Sequence, residues 1–412
     1  MIRERARVKL AYDQRLRALD KTTAATMLAG MCTFLNVYCT QPLLPLFRER
    51  FHASELEVSL TVSMTIFATA LTAPFIGMIA ERRGRKKVIV PSLFLLTIPT
   101  ALAATSSSLQ VLIFWRFAQG LFVPGVIAVI LAYVNEEWEG RGVGRAMSSY
   151  VTGTVIGGFL GRFLSGVIAT HWNWRAAFLV LAALNLIGAA VVRSWLPLAK
   201  NFKRAEHLEQ VLNHAKGHLW NPRLLANFGM GASVLFTLVG CFTYANFYLA
   251  ASPFHLNSEQ LGSIFFVYLV GAVITPLAGR FLDQFGFRHT SILYCSMMIL
   301  GLLITLARAL PLVIAGLAIF SSGVFIAQAS ATVQTGAIAG RARSSAAGLY
   351  VTFYYLGGSL GATLTDWFWR RAAWPGCVAL LGVVSLLSLW LARVSSRAFD
   401  QLDSAEIELV GG

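Results

Sequence analysis

Charge is scarce in this chain. Only 13% of its 412 residues are Asp, Glu, Lys or Arg, where a soluble domain carries about a quarter. That shortage excludes an ordinary water-soluble globule. Acid is scarcer than base, with 19 Asp and Glu against 34 Lys and Arg. No carboxylate falls in the middle of the first ten apolar runs. The acid pair that a membrane-embedded transferase would use is therefore missing there. Cysteine is limited to Cys32, Cys39, Cys241, Cys295 and Cys377. All lie in apolar runs without ligand-like spacing, so they read as small apolar fillers and not as disulfides or metal ligands. No HExxH or Walker pattern occurs. Neither a cofactor, a metal nor an ATP-driven pump is expected, and the chain is not expected to be an enzyme.

Apolar sequence is abundant instead, at 56% with a mean hydropathy of +0.65. A membrane-crossing helix needs roughly 20 mainly apolar residues. Twelve runs meet that need: 23–47, 57–80, 88–106, 109–134, 144–170, 174–193, 223–251, 258–282, 290–307, 310–335, 345–369 and 373–393. Helices are expected, because backbone groups in lipid must be satisfied within the segment. Residues 1–22 are mixed in charge and read as a tail without a cleavable signal.

The net charge of +15 suggests nucleic acid at first sight, but its distribution argues for topology. With the N-terminus in the cytoplasm, 26 of the 34 Lys and Arg fall on the cytoplasmic side and 6 outside, leaving Arg116 and Arg162 within spans. Such an excess places both termini inside, and the basic loops serve orientation and contact with anionic lipid. Nucleic acid is not an expected partner.

One motif occurs twice. Gly77, Glu81, Arg82, Gly84, Arg85 and Lys86 lie between runs 2 and 3. Gly279, Asp283, Gly286 and Arg288 lie between runs 8 and 9, 202 positions on for each matching pair. Pro74 and Pro276 share that offset. A second match, at 200, relates Gly140-Arg141 to Gly340-Arg341, Tyr150-Val151-Thr152 to Tyr350-Val351-Thr352, and Gly157, Gly158 and Gly161 to Gly357, Gly358 and Gly361. Runs 1–6 and 7–12 are therefore copies. Internal repeats of this kind are common in secondary transporters, which bind substrate at the repeat interface near mid-bilayer. The reading is an all-α integral membrane protein of twelve transmembrane helices in two pseudo-symmetric six-helix bundles. Its parts are a tail at 1–22, a bundle at 23–193, a linker at 194–222, a bundle at 223–393 and a tail at 394–412. Residues 202–212 of the linker have helical apolar spacing, which predicts a surface helix tethering the halves.

These features resemble the major facilitator superfamily over nearly the whole chain. The 77–87 turn resembles that family's signature, Phe114–Gly120 resembles the arginine motif of its proton-coupled members, and the span 5 glycines resemble the antiporter motif of drug exporters. Two departures stand out. Gly158 occupies a place where those exporters have proline, and Arg162 falls where glycine is usual. The resemblance implies alternating access between the bundles, spans 1, 4, 7 and 10 around the pathway, and export resembling drug and sugar efflux. It also implies a cytoplasmic latch, with Glu81 paired to Arg141 or Arg145 and Asp283 to Arg341 or Arg343.

The residues themselves carry further expectations. Arg116 is too deep for easy escape to water, so it should face the bundle interior and have a partner. Arginine stays protonated, so it can hold an anion or shift a nearby acid but cannot carry the coupled proton. Gln119 stands beside it. Arg162 binds an anionic substrate or reaches the outer surface. Asp366 near the outer end of span 11, or His171, would have to contribute if protons are coupled, unless the substrate carries the proton; Arg370 is the ordinary ion-pair partner for Asp366. Asn36, Tyr38 and Gln41 in span 1, Tyr244 and Asn246 in span 7, Gln328 in span 10 and Tyr354 in span 11 are candidates to line the cavity. Pro42 and Pro45 should bend span 1. The expected function is secondary active transport of a small organic solute, anionic or weakly polar, by proton-coupled efflux through the cell membrane. The chain is expected to act as a monomer with membrane lipid around it. The alternatives are a proton-linked uptake symporter for an organic anion, a membrane-embedded enzyme, or a sensor without transport.

Overall fold

The protein is seen in a computed structural model that describes residues 21–138, 141–199, 216–339 and 343–396. The predicted linker helix at 202–212 and most of both tails lie outside those residues. Every regular element described is helical. Among the described residues, nine helices are long and apolar enough to cross a membrane. One of them runs Arg343–Ser396 and holds spans 11 and 12, separated by non-helical backbone at Ala372 and Ala373. Spans 1 and 8 complete the twelve, and both are interrupted. Span 8 begins as Ser258–Ile264 and resumes at Val267.

The predicted boundaries need few corrections. Span 2 is Glu55–Arg83, started by a capping box between Ser54 and Glu57. Span 3 is Lys86–Ala103, span 5 Arg141–His171, span 6 Trp174–Trp195, span 7 Pro222–Ala250 and span 10 Leu310–Ala339. Span 4 divides into Leu109–Phe122 and Pro124–Glu137, because Pro124 offers no N–H to continue the ladder. The duplicated turns have one backbone solution. Gly84 ends span 2 at φ 91°, and Gly286 separates spans 8 and 9 at φ 71°. Both values favour glycine, which has no Cβ to clash. The end of the bundle that carries these turns is called here the basic face.

Glycine makes each half a tight body. Built Cβ atoms on Gly153, Gly157 and Gly161 of span 5 would lie 2.0, 2.2 and 2.1 Å from the carbonyl oxygens of Met27, Met31 and Leu35 of span 1. The copy repeats the contact: Gly357 and Gly361 of span 11 meet the carbonyls of Ala232 and Phe236 of span 7 at 2.0 and 2.2 Å. The stripe therefore packs helices within each half. Backbone approach of this kind favours helix association in lipid.

Span 1 is where sequence and fold interact most. It is helical over 21–37, turns at 38–40, forms a 3-10 turn at Gln41–Leu43 and resumes as Leu44–Phe51. Pro42 lacks the N–H that the carbonyl of Tyr38 would accept, and Tyr38 accepts from Gln41 N at 3.1 Å instead. The carbonyls of Asn36 and Val37 lose their helical partners, and a buried C=O without a partner is costly. Arg116 of span 4 takes both. It donates Nη1–H to Asn36 O at 2.8 Å and Nη2–H to Val37 O at 2.5 Å. Its Nε–H goes to Thr61 O of span 2 at 2.8 Å, and Nη1 also donates to the side-chain oxygen of Gln119. Arg116 is 0% exposed. A guanidinium at the C-terminal end of a helix is also favoured by the helix dipole.

Two outcomes follow for stability. Gly157→Val should lower the unfolding temperature of the purified protein strongly, since overpacking costs about 1–3 kcal/mol. Gly144→Val, with open space at its Cβ position, should leave it nearly unchanged; equal effects would remove the stripe's packing role. Arg116→Met should leave up to four acceptors unpaired at about 1–3 kcal/mol each. It should depress the unfolding temperature more than Arg162→Met does, as read by size-exclusion fluorescence after heating.

Candidate functional site

The two halves meet at the face opposite the basic loops. There Gly166 of span 5 lies against the backbone of Ser258, where a Cβ would be 2.3 Å from its carbonyl oxygen. A Cβ on Gly262 of span 8 would lie 2.8 Å from the Arg162 carbonyl oxygen. Thr170 Oγ1 accepts from Glu259 N at 3.1 Å, and His171 Nε2 stands 3.0 Å from Glu259 Oε2. Phe159 of span 5 meets Phe266 beside span 8 with ring centroids 4.3 Å apart. Span 2 packs against the helix that holds spans 11 and 12. Toward the basic face, Gly77, Gly144 and Gly348 on the same pairing helices have no atom within 4 Å of a built Cβ. Among the described residues, the close contacts between the halves gather at the end opposite the basic loops.

Arg162 sits on the inner side of that seal, 2% exposed. Its guanidinium carbon is 4.5 Å from the Tyr38 ring centre, 4.5 Å from Phe265 and 4.9 Å from Tyr268. Cation–π contact of this kind is strongest when water is excluded. Nε–H donates to Gln41 Oε1 at 2.7 Å and Nη1–H to Gly158 O at 2.6 Å. Among the described residues, Nη2 meets no acceptor. Gln41 reaches on to Thr243 of span 7, Nε2 to Oγ1 at 3.5 Å. Those two residues are 202 positions apart, the offset of the duplicated turn, so the contact lies close to the two-fold relating the halves. The break in span 1 is what turns Tyr38 and Gln41 toward this place; Ser165 of span 5 holds the turn by donating to Cys39 O at 2.6 Å.

Below Arg162 runs a column of phenols. Tyr354 of span 11 lies within electrostatic range of Tyr38, Tyr268, Tyr350 and Tyr355, and Tyr355 within range of Tyr150. Tyr350 stacks on Tyr354 at 5.8 Å, and Tyr354 meets Tyr355 edge-on at 5.5 Å. Tyr150 and Tyr350 are copies, each laid on a glycine of its own half, Gly30 and Gly231. The Tyr150 hydroxyl is buried without a partner. From residue 150 to 162 the helix rises about 18 Å.

The other residues singled out by sequence divide into three groups. Asn36 and Gln119 lie inside the first half, away from the boundary between halves. Gln119 Nε2 donates to Thr100 Oγ1 at 2.8 Å, and Thr100 Oγ1 lies 3.1 Å from Asn36 Oδ1. Asn36 Nδ2 donates to Cys32 O at 2.8 Å and faces Asn185 Oδ1 at 3.3 Å. Spans 1, 3, 4 and 6 are tied there. Tyr244 and Asp366 meet at the seal: the Tyr244 hydroxyl is 3.3 Å from Asp366 Oδ1, and Arg370 Nε bonds Asp366 Oδ2 at 2.5 Å. Asn246 donates back to Phe242 O at 2.5 Å within span 7, and Gln328 is half-buried.

At the basic face, Arg85 bonds Glu136 of span 4, with Nη2 to Oε1 at 2.5 Å. Glu81 has Arg85 and Glu136 as charged neighbours, all within the first half. Arg82, Arg145 and Arg288 are exposed, and Lys86 is half-buried. Arg141, Gly279, Asp283, Arg341 and Arg343 lie outside the residues whose side chains are described, so of the expected latch groups only Glu81 and Arg145 are described. Sequence reading passed over Phe265, Tyr268, Asn185, Glu136 and Glu259. For Glu259 a signal existed, since it opens span 8 just as Glu55 opens span 2. Tyr268 and Phe265 carry none that separates them from packing aromatics.

Comparison with known proteins agrees with this geometry. Residues 26–362 match the model of the Major Facilitator Superfamily. An uncharacterized transporter of Buchnera aphidicola from Schizaphis graminum is 32% identical over 91% of this chain and 91% of its own length. The inner membrane transport protein YnfM of Escherichia coli is 32% identical over 90% of this chain and 89% of its own. The MFS-type transporter YybF of Bacillus subtilis is 30% identical, over 93% and 95%. Among solved structures, a bacterial homologue of the lysosomal transporter Spinster, inward-facing and unoccupied, superposes with a TM-score of 0.75 at 14% identity, covering 92% of this chain and 98% of that one. The human organic anion transporter MFSD10 gives 0.69 at 17% identity, over 91% and 99%. The chain belongs to the Major Facilitator Superfamily and is a multi-pass membrane transporter.

Proposed function

We propose that the chain is a proton-coupled secondary exporter of a small organic anion in the bacterial inner membrane, with its basic face in the cytoplasm. Arg162 carries the reading. It is a buried cation on the boundary between halves, with no carboxylate among its contacts and one nitrogen without an acceptor. A buried charge is stable only when paired or bonded, and an anionic substrate would complete it. On this reading the carrier would load from the cytoplasm at the basic face and discharge when the opposite, closely packed face parts. Export draws its support from the resemblance of the 77–87 turn and the span 5 glycines to efflux carriers. Coupling draws on the titratable groups at the seal, His171, Glu259 and Asp366, which lie at the end opposite the basic loops. Proton-linked uptake of an organic anion uses the same Arg162 and is separated by the direction of flux.

The flux test uses proteoliposomes with an imposed pH gradient and a panel of monocarboxylates, read by a pH-sensitive dye. The wild-type protein should couple carboxylate and proton movement in opposite directions. Arg162→Gln should lower the rate at least about tenfold, since a hydrogen bond to a charged group contributes about 1.5–3 kcal/mol. Wild-type flux in a folded Arg162→Gln protein would reject the anion reading.

The seal has its own test. Ser165 is 1% exposed, and a cysteine placed there should react slowly with maleimide from the opposite face. His171→Ala should speed that labelling up to about fivefold, the limit set by an exposed pair of about 1 kcal/mol. Exchanging the two residues, His171→Glu with Glu259→His, should restore the slow rate. An unchanged rate in His171→Ala would remove the pair from the seal.

A further inference from the structure

We infer that the anion is a carboxylate borne on an aromatic ring, bound with its acid group on the Nε/Nη2 edge of Arg162 and its ring among the tyrosines beneath. The inference rests on the anion reading above and names the class of substrate. Three rings crowd the Arg162 guanidinium carbon, Tyr38 and Phe265 at 4.5 Å and Tyr268 at 4.9 Å, and leave its hydrogen-bonding edges as the way in. Nη1 is committed to a backbone carbonyl of its own helix, Gly158 O at 2.6 Å. The remaining edge holds Nη2, without an acceptor, and Nε, whose acceptor is the carboxamide oxygen of Gln41 at 2.7 Å. A carboxylate matches that edge with two parallel bonds, and charge-assisted pairs are roughly twice as strong as neutral ones. It would displace a neutral amide oxygen, which is the weaker acceptor.

The displaced group matters, because Gln41 also touches Thr243 of the other half. Binding at the Arg162 edge would thus loosen a contact that joins the halves.

What lies behind the carboxylate is set by the walls. Tyr268 and Tyr38 flank the guanidinium, and Tyr354 lies within electrostatic range of both. Ring walls offer faces and edges of opposite partial charge, which a planar aromatic guest meets in offset or edge-on contact. A saturated ring of equal size gains burial alone.

The test compares probes of matched size and different chemistry: benzoate, cyclohexanecarboxylate and benzamide, titrated calorimetrically against the purified full chain. Benzoate should bind about tenfold more tightly than cyclohexanecarboxylate, and benzamide should not bind measurably. Tyr354→Leu should bind both acids and reduce their ratio to near one, with its unfolding temperature confirming that it is folded. Arg162→Gln should bind neither acid. Equal binding of the two acids by the wild-type protein overturns the aromatic assignment and leaves the anion reading standing. Benzamide binding as tightly as benzoate, or no binding of either acid at millimolar concentration, overturns both.

Discussion

The fold depends on how one buried cation is satisfied without an anion. Pro42 stops the helical ladder of span 1, and two carbonyls lose their partners in a medium with no water to replace them. Arg116 supplies the donors. Each side of that exchange would be costly alone: an unpaired arginine in mid-membrane, or unpaired C=O groups. Together they hold the break open. The consequences reach the boundary between halves, because residues 38–43 are the ones released from the helix. Tyr38 covers Arg162, Gln41 accepts from it, and the Cys39 carbonyl is held by Ser165. A continuous span 1 would present a different set of side chains there.

Motion follows from where the close contacts lie. Within each half the glycine stripes bring helix backbones together, and Thr65 and Thr69 bond the carbonyls of Arg116 and Gly120 across spans 2 and 4 at 3.0 and 3.2 Å. These contacts are buried and many. Between the halves the seal consists of small residues in backbone contact, a few ring contacts and an exposed His171–Glu259 pair, with side chains 61% and 38% exposed. Exposed pairs contribute little, about 0–1 kcal/mol. The halves can part while each stays intact, which is the mechanical requirement of alternating access.

Much of this was legible in the chain. The twelve apolar runs, the duplicated turn and the span 5 glycines carry local signals: length, composition and a backbone that only glycine tolerates. The matching positive φ at Gly84 and Gly286 shows how literally the repeat is kept. Roles inside the spans were less legible. Arg116 and Arg162 look alike in sequence, as single arginines in apolar runs. What separates them is the set of acceptors brought by other spans, four oxygens for one and two for the other. Asn36 reads in sequence as a cavity-lining group and Gln119 as a neighbour of Arg116, while the structure ties both inside the first half through Asn185 and Thr100. Tyr268 and Phe265 were invisible because an aromatic residue in an apolar run is the ordinary filling of a membrane helix.

On the proposed reading, the permanence of the arginine charge shapes the cycle. A carboxylate in the pathway could be neutralised by a proton whenever the substrate leaves. Arg162 cannot. The empty carrier must therefore keep a buried guanidinium satisfied by groups weaker than the substrate, or substrate would never displace them. Gln41 meets that condition: its oxygen is neutral, its geometry is good at 2.7 Å, and it belongs to the 3-10 turn of a broken helix. The aromatic rings meet it as well, since they stabilise the cation through its faces and leave an edge free. An acidic residue in place of Gln41 would hold Arg162 more firmly and exclude the cargo. The lack of carboxylates in the middle of the first ten spans, noticed first as a shortage of charge, is then a condition for an anion to pass.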